Sequence, residues 1–344
     1  MLKLFSGEES AYYGVNFSLF LAVLLSVLVL GSILAPGLQS QQVEIGTSSA
    51  EEIFADEQEG RLTLRYFNLQ FTEEEKEELR QRHDTPIKSG DAILLTLSNG
   101  EHFLIDAGMP HLGEQLDGYL HDAGVVELEY TAASHPHWDH IGGFLTLFQT
   151  REIGEHFLVN THNDTSTYQD YKTMLEAEAI SSRYLEAGDG FSIGDVEFEV
   201  LYPPEGTDKE SIPPADEIST RKLNNLSLVM KISYGDIDYL FTGDIYRGAE
   251  RDMIEMYGEE KLNADIVHAP HHGEETSSTF EFIEAVNPEL TLISRDELAS
   301  FSVVNRYESF ESEVLATGVN GHIKVEIVED KINAYIEEEQ DIAF

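Results

Sequence analysis

The 344-residue chain contains no cysteine. Disulfides and thiolate metal sites are therefore excluded, and the absence says little about redox compartment. Basic residues are also scarce. Lysine and arginine number 21 against 65 aspartates and glutamates, a formal net charge of -44, with an isoelectric point near 4.4. Such self-repulsion is costly in dilute salt. At molar salt the Debye length falls to about 3 Å and the repulsion is largely screened. A surface rich in Glu and Asp and poor in Lys suits a halophilic protein, and a salt-loving source is expected. The charge runs along the whole chain, which favours solvation over a single acidic docking face. Nucleic acid is not drawn to such a surface at low salt, although a metal-lined cleft is locally positive.

No basic residue occurs between Lys3 and Arg61. Residues 1–14 form a short polar tail. Residues 15–37 contain an uncharged apolar run from Phe17 to Ala35, about the 20 residues a bilayer span needs. A soluble helix is seldom apolar on every face for so long. This segment is expected to be a transmembrane anchor, with a cleaved signal peptide as its rival. The cleavage pattern is weak, because Ile33-Leu34-Ala35 lacks small residues at alternate positions and Pro36 follows. The early Lys3 and the basic-poor stretch after the span place the bulk of the chain outside the cell, membrane-anchored, or secreted if the segment is cleaved. Residues 38–60 read as an acidic, aperiodic linker. One folded domain is expected over residues 61–344.

Ligand-type side chains crowd one stretch, Ser134-His135-Pro136-His137-Trp138-Asp139-His140-Ile141-Gly142-Gly143. His135, His137, Asp139 and His140 supply nitrogen and oxygen donors of the kind zinc and similar cations use. Packing alone rarely gathers them, since crowded imidazoles and a carboxylate cost desolvation without a cation. A strand over about residues 125–133 leads in, and Gly142-Gly143 is expected to bend the backbone tightly into a helix. Around this motif, residues 92–97 and 102–106 read as a hairpin about Asn99-Gly100. Residues 72–82 read as a charged surface helix, and residues 111–123 as an amphipathic one. Residues 190–194 with 196–201, 224–233 with 239–244, and a final stretch over 321–337 read as further hairpins. Asp244 ends a strand, where it serves as a ligand or as a helix cap. Ala269-Pro270-His271-His272-Gly273 follows another strand end, and His268 reads as an ordinary strand residue.

His-x-His-x-Asp-His resembles the signature of the metallo-β-lactamase fold superfamily. Within it, His-Pro-x-x-Asp-His-Ile-Gly-Gly is similar to the branch holding the hydrolase domain of the ComEC/Rec2 DNA-uptake proteins and the phosphorylcholine esterases. Ser89-Gly90-Asp91, Leu104-Ile105-Asp106-Ala107-Gly108, Asn224-Asn225-Leu226-Ser227-Leu228-Val229, Thr242-Gly243-Asp244 and His271-His272-Gly273 extend the likeness over residues 61 to about 337. Three departures stand out. Many ComEC-type relatives carry Asp where this chain has His137, which brings it nearer the two-metal members. Val304-Asn305-Arg306-Tyr307 lacks the family's following His-Pro. No histidine stands at the Leu201-Tyr202-Pro203 strand end, where classical members place a third ligand; His162 lies one strand early.

The resemblance implies an α/β protein of αββα sandwich architecture, where composition gives only mixed α and β. It implies one metal centre on His135 and His137, a second on Asp139, His140 and one of His271 or His272, and Asp244 bridging them. Which of the two histidines is the ligand and which faces substrate stays open. Asp139, His271 and His272 are the implied catalytic groups, and Asp106 either buttresses the loops or caps a turn. One or two zinc ions, or manganese, would activate a shared hydroxide for attack on a phosphodiester or phosphoester, DNA among the candidates. Lactone or β-lactam hydrolysis is the alternative chemistry, and a non-catalytic binding protein on the same scaffold the alternative class.

Overall fold

The computed structural model describes residues 43–55, 60–82 and 88–338. The expected anchor at residues 15–37 lies outside them. Among the described residues, no helix is long and apolar enough to cross a membrane.

The strands in chain order are β1 (Glu44–Thr47), β2 (Leu62–Tyr66), β3 (Ile93–Thr96), β4 (His102–Ile105), β5 (Glu127–Ala133), β6 (Glu152–Leu158), β7 (Ser181–Tyr184) and β8 (Gly190–Ile193). There follow β9 (Val196–Tyr202), β10 (Val229–Tyr234), β11 (Ile237–Phe241), β12 (Ile266–His268), β13 (Leu290–Ile293), β14 (Glu313–Ala316), β15 (Ile323–Val328) and β16 (Lys331–Ile336). They form a nine-stranded sheet, in the order β1-β16-β15-β2-β3-β4-β5-β6-β7, and a seven-stranded sheet, β14-β13-β12-β11-β10-β9-β8. The main helices are α1 (Ala50–Phe54), α2 (Glu73–Arg82), α3 (Gly113–Asp122), α4 (Phe144–Thr150), α5 (Ser166–Ala177), α6 (Arg247–Leu262), α7 (Phe280–Val286) and α8 (Phe301–Glu308).

Successive strand side chains point to opposite faces, and the sequence uses this on both sheets. Leu62, Leu64 and Tyr66 of β2 meet Ile237, Tyr239 and Phe241 of β11 in one apolar layer between the sheets. The Tyr66 and Tyr239 hydroxyls hydrogen-bond across it at 2.7 Å. The alternate residues face outward. Leu94 and Leu104 pack under α3, α4 and α5 through Leu116, Phe144 and Tyr171. Leu240 and Val267 pack under α6, α7 and α8 through Met253, Phe282 and Val304. The architecture is the expected αββα sandwich, and the expected hairpins are present as β3–β4, β8–β9, β10–β11 and β15–β16.

One boundary is corrected. The folded domain does not begin near Arg61, because part of the supposed linker belongs to the sheet. β1 pairs in parallel with β16, and α1 buries Ile53 and Phe54. A reciprocal Ser49–Glu52 capping box closes the start of α1. The buried Arg65 guanidinium then donates to Ile53 O at 3.0 Å and Ala55 O at 2.8 Å. The Val304–Tyr307 stretch is scaffold. Val304 and Tyr307 are buried, and Arg306 donates to the Ser277 and Ser278 carbonyls.

Candidate metal centre

β4, β5 and β6 are mutually parallel, as are β11, β12, β13 and β14. Carboxyl ends of parallel strands are where open α/β sheets bind ligands. Asp106 follows β4, His135 to His140 follow β5, Asp244 follows β11, and His271 and His272 follow β12. Asp91, just before β3, completes the group.

Two donor sets form, each with its ligand atoms within 4.8 Å of one another: His135, His137 and Asp244, and Asp91, His140, Asp244 and His272. Asp244 belongs to both, as expected of a bridging carboxylate. In the first set His135 Nε2 lies 2.8 Å from His137 Nδ1 and 3.7 Å from Asp244 Oδ2. In the second, Asp244 faces the Nε2 atoms of His140 at 3.3 Å and of His272 at 3.4 Å. Asp139 Oδ2 lies 3.9 Å from His140 Nε2 and 3.7 Å from His272 Nε2, and is held at 2.6 Å by the Lys88 ammonium. His162 is not brought in: its Nε2 donates to Pro213 O at 2.6 Å, and no third histidine joins His135 and His137 among the described residues.

The histidine pair separates into two roles. Both residues adopt φ of 53°, the left-handed region that costs roughly 1–2 kcal/mol per non-glycine residue. His272 is fully buried and turns Nε2 into the second set. His271 Nδ1 bonds Thr276 Oγ1 at 2.6 Å and lies 3.4 Å from Glu274, and its Nε2 is 3.7 Å from Asp244. Of the two, His272 joins the donor set and His271 stands at its rim.

Behind the donors stands a layer that fixes the rings. Asp106 Oδ2 meets His140 Nδ1 at 2.7 Å and accepts Ser134 Oγ–H at 2.6 Å, while Oδ1 accepts Ser134 N–H at 2.7 Å. It buttresses the loop. Asp91 faces the opposite side of the imidazoles from Asp244, 3.1 Å from His272 Nδ1 and 3.3 Å from His268 Nε2. We read it as an orienting carboxylate. Two residues of this layer were not legible as site residues: Asp91 matched the family pattern without a role, and Lys88 preceded that match. His268 is the buried last residue of β12, as read, with its Nε2 3.3 Å from Asp91. Asp244 does not cap α6, whose N-cap is Tyr246.

The glycines act by size as much as by torsion. Gly142 and Gly143 have φ of -64° and -67°, so they make no special bend. They are small because a Cβ on Gly143 would lie 2.0 Å from Ala107 O. Gly90 needs both properties: its φ is +90°, and a Cβ would stand 1.7 Å from Asp139 O.

The charges are arranged for a cation. Burial and the neighbouring imidazoles of His140 and His137 push His135 well below the ordinary histidine value. Burial takes His137 and His271 down to about 4, so all three offer lone pairs at neutral pH. Burial opposes charge on Asp244, but His272, His140 and His271 outweigh it and hold the carboxyl well below its usual range. Burial is likewise outweighed at His272, raised to about 9 by Asp91 and Asp244. Buried atoms with no hydrogen-bond partner include His140 Nε2, His272 Nε2 and both Asp244 oxygens. Such atoms are costly unless something charged joins them. A divalent cation fits this donor set, and the Lys88 ammonium on Asp139 already shows the carboxylates holding positive charge.

A family model described as the metallo-beta-lactamase superfamily matches residues 86–295. The chain is 27% identical over 221 residues to ComE operon protein 3 of Bacillus subtilis, covering 62% of this chain and 26% of that protein. It is 25% identical over 248 residues to Recombination protein 2 of Haemophilus influenzae, covering 69% and 28%. The chain thus spans about a quarter of the length of these curated relatives. Among solved structures, the metallo-beta-lactamase fold protein YhfI from Bacillus subtilis is 13% identical, with a TM-score of 0.45, over 74% of this chain and 96% of that one.

Proposed function

The chain belongs to the metallo-β-lactamase superfamily, in its ComEC/Rec2-like branch, and we propose that it is a metal-dependent hydrolase of phosphodiester or phosphoester bonds. The observation that carries this reading is the convergence of buried, unpartnered His140 Nε2, His272 Nε2 and Asp244 oxygens at the strand ends. His135, His137 and Asp244 would hold one cation, and Asp139, His140, His272 and Asp244 the other. Zinc or manganese bound there supplies Lewis acidity and a lowered water pKa.

The protein's own groups do the rest. Asp106 and the Ser294 carbonyl hold Nδ1 of His140 and of His272, leaving their Nε2 atoms forward. Lys88, paired with Asp139 at 2.6 Å, adds positive charge beside the donors for an anionic substrate. His271, anchored through Nδ1 by Thr276 and Glu274, keeps Nε2 free to take up or return a proton during ester cleavage. The choice of phosphorus over carbonyl rests on the likeness of the motifs to the DNA-uptake branch and on Lys88.

The test uses the purified protein in high salt with bis(4-nitrophenyl) phosphate, with and without zinc or manganese, beside Asp244→Ala. The expected result is metal-dependent turnover that the substitution lowers by at least about a hundredfold. Bound metal without turnover would redirect the reading to carbonyl substrates. Absence of both metal and turnover would leave a non-catalytic scaffold.

A further inference from the structure

Beside the metal centre lies a cavity of about 710 Å³, within the size range of small-ligand pockets. Its wall includes Arg221, Arg247 and Arg295 together with Tyr246, Glu274 and Thr276. In a chain with only 21 basic residues, three arginines meet two glutamates, Glu274 and Glu275, around one cavity, a small positive excess on an otherwise acidic surface. They come from separate parts of the sequence: the turn before β10, the start of α6 and the end of β13. Arg295 is buried and pairs with Glu274 at 3.1 Å, which fixes one side of the wall. Arg221 and Arg247 are exposed and make no salt bridge among the described residues, although Arg247 favours the charged form of the Glu250 carboxyl. Arg247 is steadied by donating to the Glu275 carbonyl. The positive end of α6 borders the same space and adds to the field.

The cavity is continuous with the catalytic apparatus. The Tyr246 ring packs on the His271 ring at 4.7 Å, and Thr276 and Glu274, which anchor His271 Nδ1, also line the cavity. A substrate held at the strand ends therefore passes His271 and Tyr246 on its way into the arginine-lined space. Guanidinium groups match phosphate oxygens through paired N–H donors, and an aromatic ring at the entrance suits a flat group between two phosphates.

We propose that this cavity is a subsite for a second phosphate of the substrate, next to the ester being cleaved, with Arg221 and Arg247 as its anion-binding residues. The inference rests on the phosphodiester reading and narrows it to substrates with at least two phosphates in series, as in a nucleotide chain.

Two probes differ in that group alone: the 4-nitrophenyl ester of thymidine 5′-phosphate, with and without a 3′-phosphate. With the manganese-loaded protein, the 3′-phosphate is expected to lower KM about tenfold, in line with one charge-assisted contact. In Arg221→Ala/Arg247→Ala this advantage should fall to about twofold or less, and Arg221→Lys/Arg247→Lys should restore part of it. Equal KM for the two esters in the unaltered protein, or an advantage that survives the alanine pair, overturns the subsite. A second readout does not need turnover. Fluorescence anisotropy of labelled oligothymidylate with the metal-free protein should show weaker binding in the alanine pair, with a salt slope smaller by about two; unchanged binding and slope would count against the subsite. If bis(4-nitrophenyl) phosphate and both thymidine esters are inert while the anisotropy difference holds, the hydrolase reading fails and the anion site stands.

Discussion

At the scale of single residues, the donors do not orient themselves. The ring of His140 is set by Asp106, which also ties down Ser134. Asp106→Asn keeps the shape and removes the charge. Zinc affinity, measured by competition with a chromophoric chelator, should weaken about 10- to 100-fold; unaltered affinity would make Asp106 a turn residue only. A second prediction concerns His322, packed against Phe54, Phe67 and Tyr119, where Nδ1 accepts Asn68 N–H at 3.1 Å. Burial depresses it from 6.5 to about 4. Because the folded value is the lower one, the unfolded chain takes up a proton first as pH falls below 6.5. The stabilisation is complete above that pH and is lost on the way down to about 4, by about 3 kcal/mol in all. His322→Asn keeps an acceptor and cannot titrate. Urea denaturation should show its stability falling less than that of the unaltered protein between pH 6.5 and 4, and parallel losses would refute the assignment. The compressed His135–His140 motif was legible because so many donors in six positions have little other use. The places of Asp91 and Lys88 were not, since a family match or a lone lysine far away in sequence does not show what it will face until strand ends gather. The choice between His271 and His272 turned on two left-handed residues, which sequence does not display.

Among the elements, the strands were readable because each sheet is covered on both faces, which leaves short apolar runs bounded by turn residues. β1 and α1 were not. Every residue of β1 is exposed, so it has no alternation to detect, and α1 is a single short turn amid acidic residues. Their energetic role is nonetheless large. A chain shortened to begin at Gly60 loses the burial of Ile53 and Phe54, leaves Arg65 without two of its acceptors and opens the β16 edge. It should be at least about 3 kcal/mol less stable in urea than one beginning at Gln41, and more prone to self-association through the bared edge. Equal midpoints would return residues 41–55 to the status of a linker. Gly90 is the element-level counterpart at the site. Gly90→Ala should displace the Asp139 carbonyl and reduce metal content in elemental analysis, whereas intact loading would show that the loop yields.

For the whole molecule, the net charge of -44 sets the conditions under which the fold is secure. Raising potassium chloride from about 0.1 to about 1 M shortens the Debye length from about 10 to about 3 Å. The thermal midpoint should rise by about 10 °C, and a flat response would mean the carboxylates are already neutralised locally. Composition revealed this charge, but not where the few cations go, because Arg221, Arg247 and Arg295 meet only after the second sheet is complete. The same separation governs the metal donors. His135 to His140 close one sheet, while Asp244 and His272 belong to the other and are synthesised later. Without Asp244 and His272 each donor set is incomplete, so an emerging chain would hold a cation poorly until the second sheet is docked. A cation held there would then report that the two sheets have docked, and metal retention in a preparation would follow that docking.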